Sequence, residues 1–116
     1  IAAEDTRQTV KILNHYGIEK PMISYHEHNK STAGIKIIQK LEEGQNICLV
    51  TDAGMPGISD PGEDLVRLCY EYGIEVTASP GPVACITALV ISGLPTRRFA
   101  FEAFLPTDKK ERKTIL

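Results

Sequence analysis

The chain has 116 residues, 42% of them hydrophobic and 24% charged, with a formal net charge of −2. Such a length supports one domain with a real core, and the balance excludes both an intrinsically disordered chain and a wholly basic nucleic-acid binder. The apolar stretch over 83–91 is interrupted by Thr87 and closed by Ser92-Gly93, well short of the roughly 20 residues that a membrane-spanning helix needs.

The opening Ile1-Ala2-Ala3-Glu4-Asp5 lacks an initiator Met and the basic-then-apolar profile of a signal peptide, so the chain is expected to be a piece of a longer protein. Ile1-Ala2-Ala3 reads as the end of a strand, and Val10 and Leu13, with Ile12 and Tyr16, place a helix over 6–16 that stops at Gly17. Residues 21–25 suit a short strand. Ser31-Thr32 can cap a helix running to Glu42, with Ile35, Ile38 and Leu41 on its buried face and Gly44 after it. The nearly continuous apolar run over 46–50 predicts a strand covered on both faces.

Asp60-Pro61-Gly62 leads into a helix over 63–72 that buries Leu65, Val66, Leu68 and Cys69 and ends at Gly73. Residues 74–78 read as the next strand, and Gly81-Pro82 opens an apolar helix over 83–91. Strands alternating with helices at these intervals predict an α/β fold, a parallel sheet flanked by helices. Phe99-Ala100-Phe101-Glu102-Ala103-Phe104 alternates with period two, and a polar basic tail follows Pro106. The expected division is therefore a ligand-binding α/β domain over 1–97, with 98–116 as a linker and the first strand of a second domain.

The charge is unevenly spread. Residues 1–96 hold 7 Lys and Arg against 12 Asp and Glu, whereas residues 97–116 hold 6 against 3. Cys48, Cys69 and Cys85 are odd in number, lie in apolar runs and lack CxxC spacing. They predict core packing in a reducing cytoplasm, with neither a disulfide framework nor a zinc site.

In a parallel α/β sheet, ligands lie beyond the carboxyl ends of the strands. Four such ends are polar or glycine-rich: Glu4-Asp5-Thr6-Arg7, His26-Glu27-His28-Asn29, the loop over 51–62, and Ser79-Pro80-Gly81-Pro82-Val83-Ala84. The 51–62 loop holds three glycines and two prolines but matches neither GxGxxG nor GxxxxGK[ST]. Pro80-Gly81-Pro82 sets the entry to a helix whose first N–H groups point to the same edge.

Ala3-Glu4-Asp5-Thr6-Arg7, His26-Glu27-His28-Asn29, Thr51-Asp52-Ala53-Gly54 with Asp60-Pro61-Gly62, Pro80-Gly81-Pro82 with Ala84, Gly93-Leu94-Pro95 and Phe104-Leu105-Pro106 occur in order along nearly the whole chain. In these six segments the chain resembles the tetrapyrrole methylase superfamily of S-adenosylmethionine-dependent methyltransferases, and within it the branch acting on ribosomal RNA. The resemblance implies 2′-O-methylation of a cytidine ribose in small-subunit ribosomal RNA with S-adenosylmethionine as cofactor; a homodimer is expected besides. Methylation of a small tetrapyrrole is the alternative enzyme reading, and an inactive binding or dimerisation module the non-enzymatic one. Ala103 stands where the family commonly has Gly, and Thr51 where Ser is common.

The resemblance further implies donor contacts from Asp52, Ala53, Gly54 and Gly57, and from Val83 and Ala84. Methyl transfer to a hydroxyl is an in-line displacement that benefits from a proton acceptor, and Glu4 or Asp5 is the expected base. Their alternative duty is to cap the following helix. Arg7, Arg97 and Arg98 suit phosphate contact, and His26 and His28 an RNA-facing or structural role; no metal is expected.

The superfamily's sheet order of 3-2-4-1-5 implies a first strand, lacking here, between residues 46–50 and 74–78. The expectation is that those two segments pair directly, or that 99–104 fills the slot from this chain or a neighbour, with self-association or a rearranged sheet and poor donor binding as the result.

Overall fold

The structure, a computed structural model, describes residues 1–115. It divides into two compact units, Ile1–Gly81 and the residues from Pro82 onward. The first unit carries a three-stranded parallel sheet in the order β2-β1-β3, formed by β1 (Ala2–Ala3), β2 (Ile23–Ser24) and β3 (Leu49–Val50). Ala2 lies opposite Ile23 and Leu49, and Ala3 opposite Ser24 and Val50. Successive strand residues face opposite sides of a sheet. Since Ala2 and Ala3 are both 0% exposed, the central strand is covered on both faces.

Three helices follow the three strands. Helix α1 (Thr6–His15) starts at Asp5, whose side chain accepts from the Arg7 N–H. Helices α2 (Lys30–Glu42) and α3 (Gly62–Glu71) pack on each other. All three helices end as the sequence predicts, at Gly17, Gly44 and Gly73 in left-handed backbone. There the N–H groups of Ile18, Gln45 and Ile74 reach back to the carbonyls of Leu13, Lys40 and Cys69, closing the terminal turn in the manner that favours glycine.

On α2, Ile38 is buried and Leu41 packs against the core as the spacing predicts, but the buried face is shifted away from Ile35. Ala33, Gly34, Ile37 and Ile38 are buried, while Ile35 is 43% exposed. The reason is close packing: a Cβ on Gly34 would stand 3.4 Å from Leu68 Cδ2, so small residues face α3. Counting large apolar side chains overlooks such a face. Helix α2 also begins at Lys30 rather than at a Ser31-Thr32 cap, with Asn29 in the capping position. The Asn29 side chain makes no cap bond and instead accepts from the His26 N–H and donates to the Ser24 carbonyl. The core centres on Tyr25, Ile37 and Ile38 with Leu65 and Cys69.

Two expected strands do not form among the described residues. The 74–78 segment makes no ladder, although Ile74 and Val76 pack against the core. Its side chains find the core, but no strand lies beside it to complete backbone pairing, and β3 remains the edge of the sheet. The 99–104 segment likewise forms no strand; Phe99, Phe101 and Phe104 are exposed. Among the described residues, then, 74–78 neither pairs directly with β3 nor admits 99–104 between them. The 46–50 run pairs only over β3, extended by an Ala2 N–H to Cys48 carbonyl bond. Leu49 and Val50 are half-buried and Cys48 is exposed, so this strand is not covered on both faces. Of the three cysteines only Cys69 is a core residue, and burial raises its thiol pKa.

The second unit holds α4 (Ala84–Ile91) and α5 (Lys109–Ile115). Helix α4 has no buried residue despite being apolar all round. Helix α5 lies in the polar basic tail after Pro106; the Asp108 carboxylate accepts from the N–H groups of Lys110 and Glu111 and so starts it. No helix among the described residues is long and apolar enough to cross a membrane.

Candidate functional site

Parallel pairing sends the carboxyl ends of β1, β2 and β3 to one edge of the sheet. Glu4 and Asp5 follow β1, Tyr25 and His26 follow β2, and Thr51 and Asp52 follow β3. Together Glu4, Asp5, Arg7, His26 and Asp52 line an open depression of about 320 Å³, with Thr6 and Ser24 completing its wall. Five expected site residues thus converge although they are drawn from three separate stretches of chain.

Glu4 spans two strands. Its Oε2 accepts from the Thr51 hydroxyl at 2.6 Å and from the Asp52 N–H at 3.2 Å. The Thr51 bond, followed by that from Asp52, lowers the pKa of the carboxyl from its ordinary value. Oε1 has no hydrogen-bond partner among the described residues. Asp5 is more fully engaged: Arg7 donates Nε to Oδ1 at 3.0 Å and a terminal nitrogen to Oδ2 at 2.7 Å, and the Arg7 N–H also binds Oδ1. This bidentate grip takes the Asp5 pKa down to about 2 and raises that of Arg7. Asp5 therefore caps α1, and part of the Arg7 fork is already used on it, although the side chain remains largely exposed.

The backbone of His26 is held by Asn29, and its Nδ1 is buried without a hydrogen-bond partner among the described residues. The His26 and His28 rings meet edge-on with centroids 5.9 Å apart. No group of three or more His, Cys, Asp or Glu among the described residues is arranged to hold a metal ion.

The loop over 51–61 is anchored at both ends. At its start stands Glu4; at its close, Asp60 Oδ1 accepts from the N–H groups of Gly57 at 2.9 Å and Gly62 at 2.6 Å. A Cβ on Gly62 would meet Asp60 Oδ1 at 2.7 Å, the Gly57 nitrogen at 2.8 Å and Leu49 Cδ2 at 2.9 Å, so only glycine fits there. The Tyr25 hydroxyl donates to the Pro61 carbonyl at 2.9 Å, and burial lifts this phenol's pKa to about 12. Between the anchors, Ala53 and Gly54 are exposed, and Gly54 has φ +77° with open space around it.

Val83, Ala84, Arg97 and Arg98 belong to the second unit. There Val83 occupies the capping position of α4 and Ala84 its first turn, and both arginines are exposed. Sequence reasoning left Ser24, Thr51 and Asp60 outside the set of site residues. For Asp60 a signal existed: an Asp before Pro-Gly, three residues after a glycine, has the spacing for a carboxylate that gathers nearby N–H groups.

The whole chain, residues 1–116, matches the family description Tetrapyrrole (Corrin/Porphyrin) Methylases. Among individual relatives, a protein named Ribosomal RNA small subunit methyltransferase I from Halalkalibacterium halodurans is 56% identical over 100% of this chain and 40% of its own length. Proteins of the same name are 52% identical in Escherichia coli O157:H7, over 100% of this chain and 41% of the relative, and 47% identical in Thermotoga maritima, over 99% and 52%. The chain thus spans about two-fifths of the length of the first two of these curated relatives. With an α/β fold built on a parallel sheet and a family match that runs from end to end, the chain belongs to the tetrapyrrole (corrin/porphyrin) methylase family.

Proposed function

We propose that the protein takes part in S-adenosylmethionine-dependent 2′-O-methylation of a cytidine ribose in small-subunit ribosomal RNA. The observation that carries this reading is the depression at the strand ends, where an arginine, a histidine and three carboxylates converge, the third being Asp52 at the start of a glycine-containing loop. The relatives' name supports ribosomal RNA as acceptor. The six-segment resemblance supports the ribose 2′-hydroxyl and the cytidine.

The donor supplies a methyl group already activated on a sulfonium, so the protein has to hold, orient and deprotonate. The residues present fit that demand. Exposed small residues at 53–54 permit close backbone approach, and the loop is fixed at both ends. Asp52, Ala53, Gly54 and Gly57 hold the donor in this reading; the donor roles of Val83 and Ala84 rest on the six-segment resemblance alone. Of the two candidate bases Glu4 is the better suited, because its Oε1 is free while both oxygens of Asp5 are bound by Arg7. Its free Oε1 can accept the hydroxyl proton, although the Thr51 and Asp52 bonds that lower its pKa also make it a weaker base. Asp5 supports it as the cap of α1. Arg7, His26, His28, Arg97 and Arg98 face the RNA. The division into a donor-binding domain over 1–97 and a linker from 98, a homodimer and a cytoplasmic setting complete the proposal; three free cysteines support the last.

The test combines calorimetry with S-adenosylmethionine on the full-length protein and methyl transfer to small-subunit ribosomal RNA. A 2′-O-methyl group protects the adjoining phosphodiester from alkali. An alkali-resistant methylated cytidine is the expected product. Methyl incorporation only into bases, or only into a corrin or porphyrin acceptor, would overturn the reading.

A further inference from the structure

The loop over 51–61 has backbone geometry that does not sustain itself. Gly57 has φ +85°, and Ser59 has φ +59°, the only non-glycine residue with positive φ among those described. A left-handed conformation at Ser59 costs energy that neighbouring contacts must offset. Tyr25 holds the Pro61 carbonyl and the Ile58 N–H bonds the Met55 carbonyl, but three of the bonds around the strained turn come from one side chain. Asp60 Oδ1 accepts from the Gly57 and Gly62 N–H groups, and Oδ2 accepts from Gly57 at 3.0 Å. Hydrogen bonds to an ionised carboxylate are among the stronger ones in proteins. Asp60 thereby folds the loop back onto the first residue of α3, which the contacts around Gly62 require to be a glycine.

We infer that Asp60 is a positioning residue for the methyl donor: it draws the loop closed at Gly57 and Gly62, and so fixes the exposed backbone between this clamp and Glu4 in the shape that receives the donor. The inference rests on the proposed donor role of the loop. Asp60 itself does not line the depression, so its effect is exerted through the loop backbone. Without the clamp, binding would have to order the loop, and affinity would fall by that cost. Contacts to RNA made elsewhere would be unaffected.

The experiment uses the full-length protein and compares Asp60→Ala, Asp60→Asn and Asp60→Glu. An asparagine keeps an oxygen that can accept at the Oδ1 position but loses the charge and sets an NH2 against the Gly57 N–H that Oδ2 accepts, whereas an alanine removes every acceptor and a glutamate keeps the charge but sets it one methylene too far out. Calorimetry with S-adenosylmethionine is expected to give at least a tenfold rise in Kd for Asp60→Ala and Asp60→Glu, and a smaller rise for Asp60→Asn. RNA affinity should stay within twofold of wild type in all three. Hydrogen exchange without donor should quicken at the Gly57 and Gly62 amides in the Ala and Glu variants. If Asp60→Ala does not fold, the Asn and Glu variants decide between geometry and charge. Wild-type donor affinity in a folded Ala or Glu variant overturns the inference, as does an Asn variant weaker than Ala. Wild-type protein that binds no donor defeats the functional reading itself, and the inference with it.

Discussion

Asp5 and Glu4 are adjacent carboxylates with different work. Asp5 is bound at both oxygens by Arg7 and also holds the first turn of α1. Its pKa of about 2 lies below the ordinary value of about 3.9, so it contributes stability above the ordinary value that is lost as pH falls toward 2. Asp5→Asn should therefore flatten the decline of the urea midpoint between about pH 4 and pH 2, measured at a series of pH values against wild type; an unchanged decline would show that the pair contributes nothing to acid stability. For Glu4 the expected outcome lies in turnover. Glu4→Gln keeps an oxygen that can accept from Thr51 and Asp52 but removes the proton-accepting carboxylate, so kcat should fall with donor affinity nearly unchanged. Full turnover would end its assignment as base. Both residues could be singled out from the sequence, because a carboxylate after a central strand suits either capping or catalysis. The choice between those duties depended on which oxygens Arg7 and Thr51 occupy.

At the scale of elements, the 51–61 loop joins β3 to α3 with more residues than the connection needs. A Cβ at Gly54 would meet no atom within 4 Å, so a side chain there enters open space, but φ +77° is a conformation that β-branched residues resist. Gly54→Val should distort the loop and weaken donor affinity by over tenfold, about 1.4 kcal/mol, as read by calorimetry. Unchanged affinity would remove this part of the loop from the site. Helix ends were legible because glycine in a left-handed turn is a local requirement. The buried face of α2 was less so: Ala33 and Gly34 matter for how closely α3 approaches, which apolar spacing along one helix does not express.

For the whole molecule, Phe104 and Ile91 of the second unit are 86% and 80% exposed among the described residues. Such apolar side chains are free to pack against another segment, from a longer chain or from a second copy. The proposed homodimer should appear in sedimentation equilibrium as a concentration-dependent rise in mass, and Phe104→Asp should shift it toward monomer. A monomer at every concentration would remove the dimer from the functional proposal.

The first three helices, their glycine stops and the polar segments after each apolar run were determined by the sequence alone, since each depends on residues within a few positions of one another. Tertiary structure alone decided which distant groups meet: Glu4 with Thr51 across 47 residues, and Tyr25 with Pro61 across 36. Among the described residues, 74–78 forms no ladder although Ile74 and Val76 turn toward the core. An apolar alternation specifies which side chains are buried, whereas a strand exists only where a neighbouring backbone completes its hydrogen bonds.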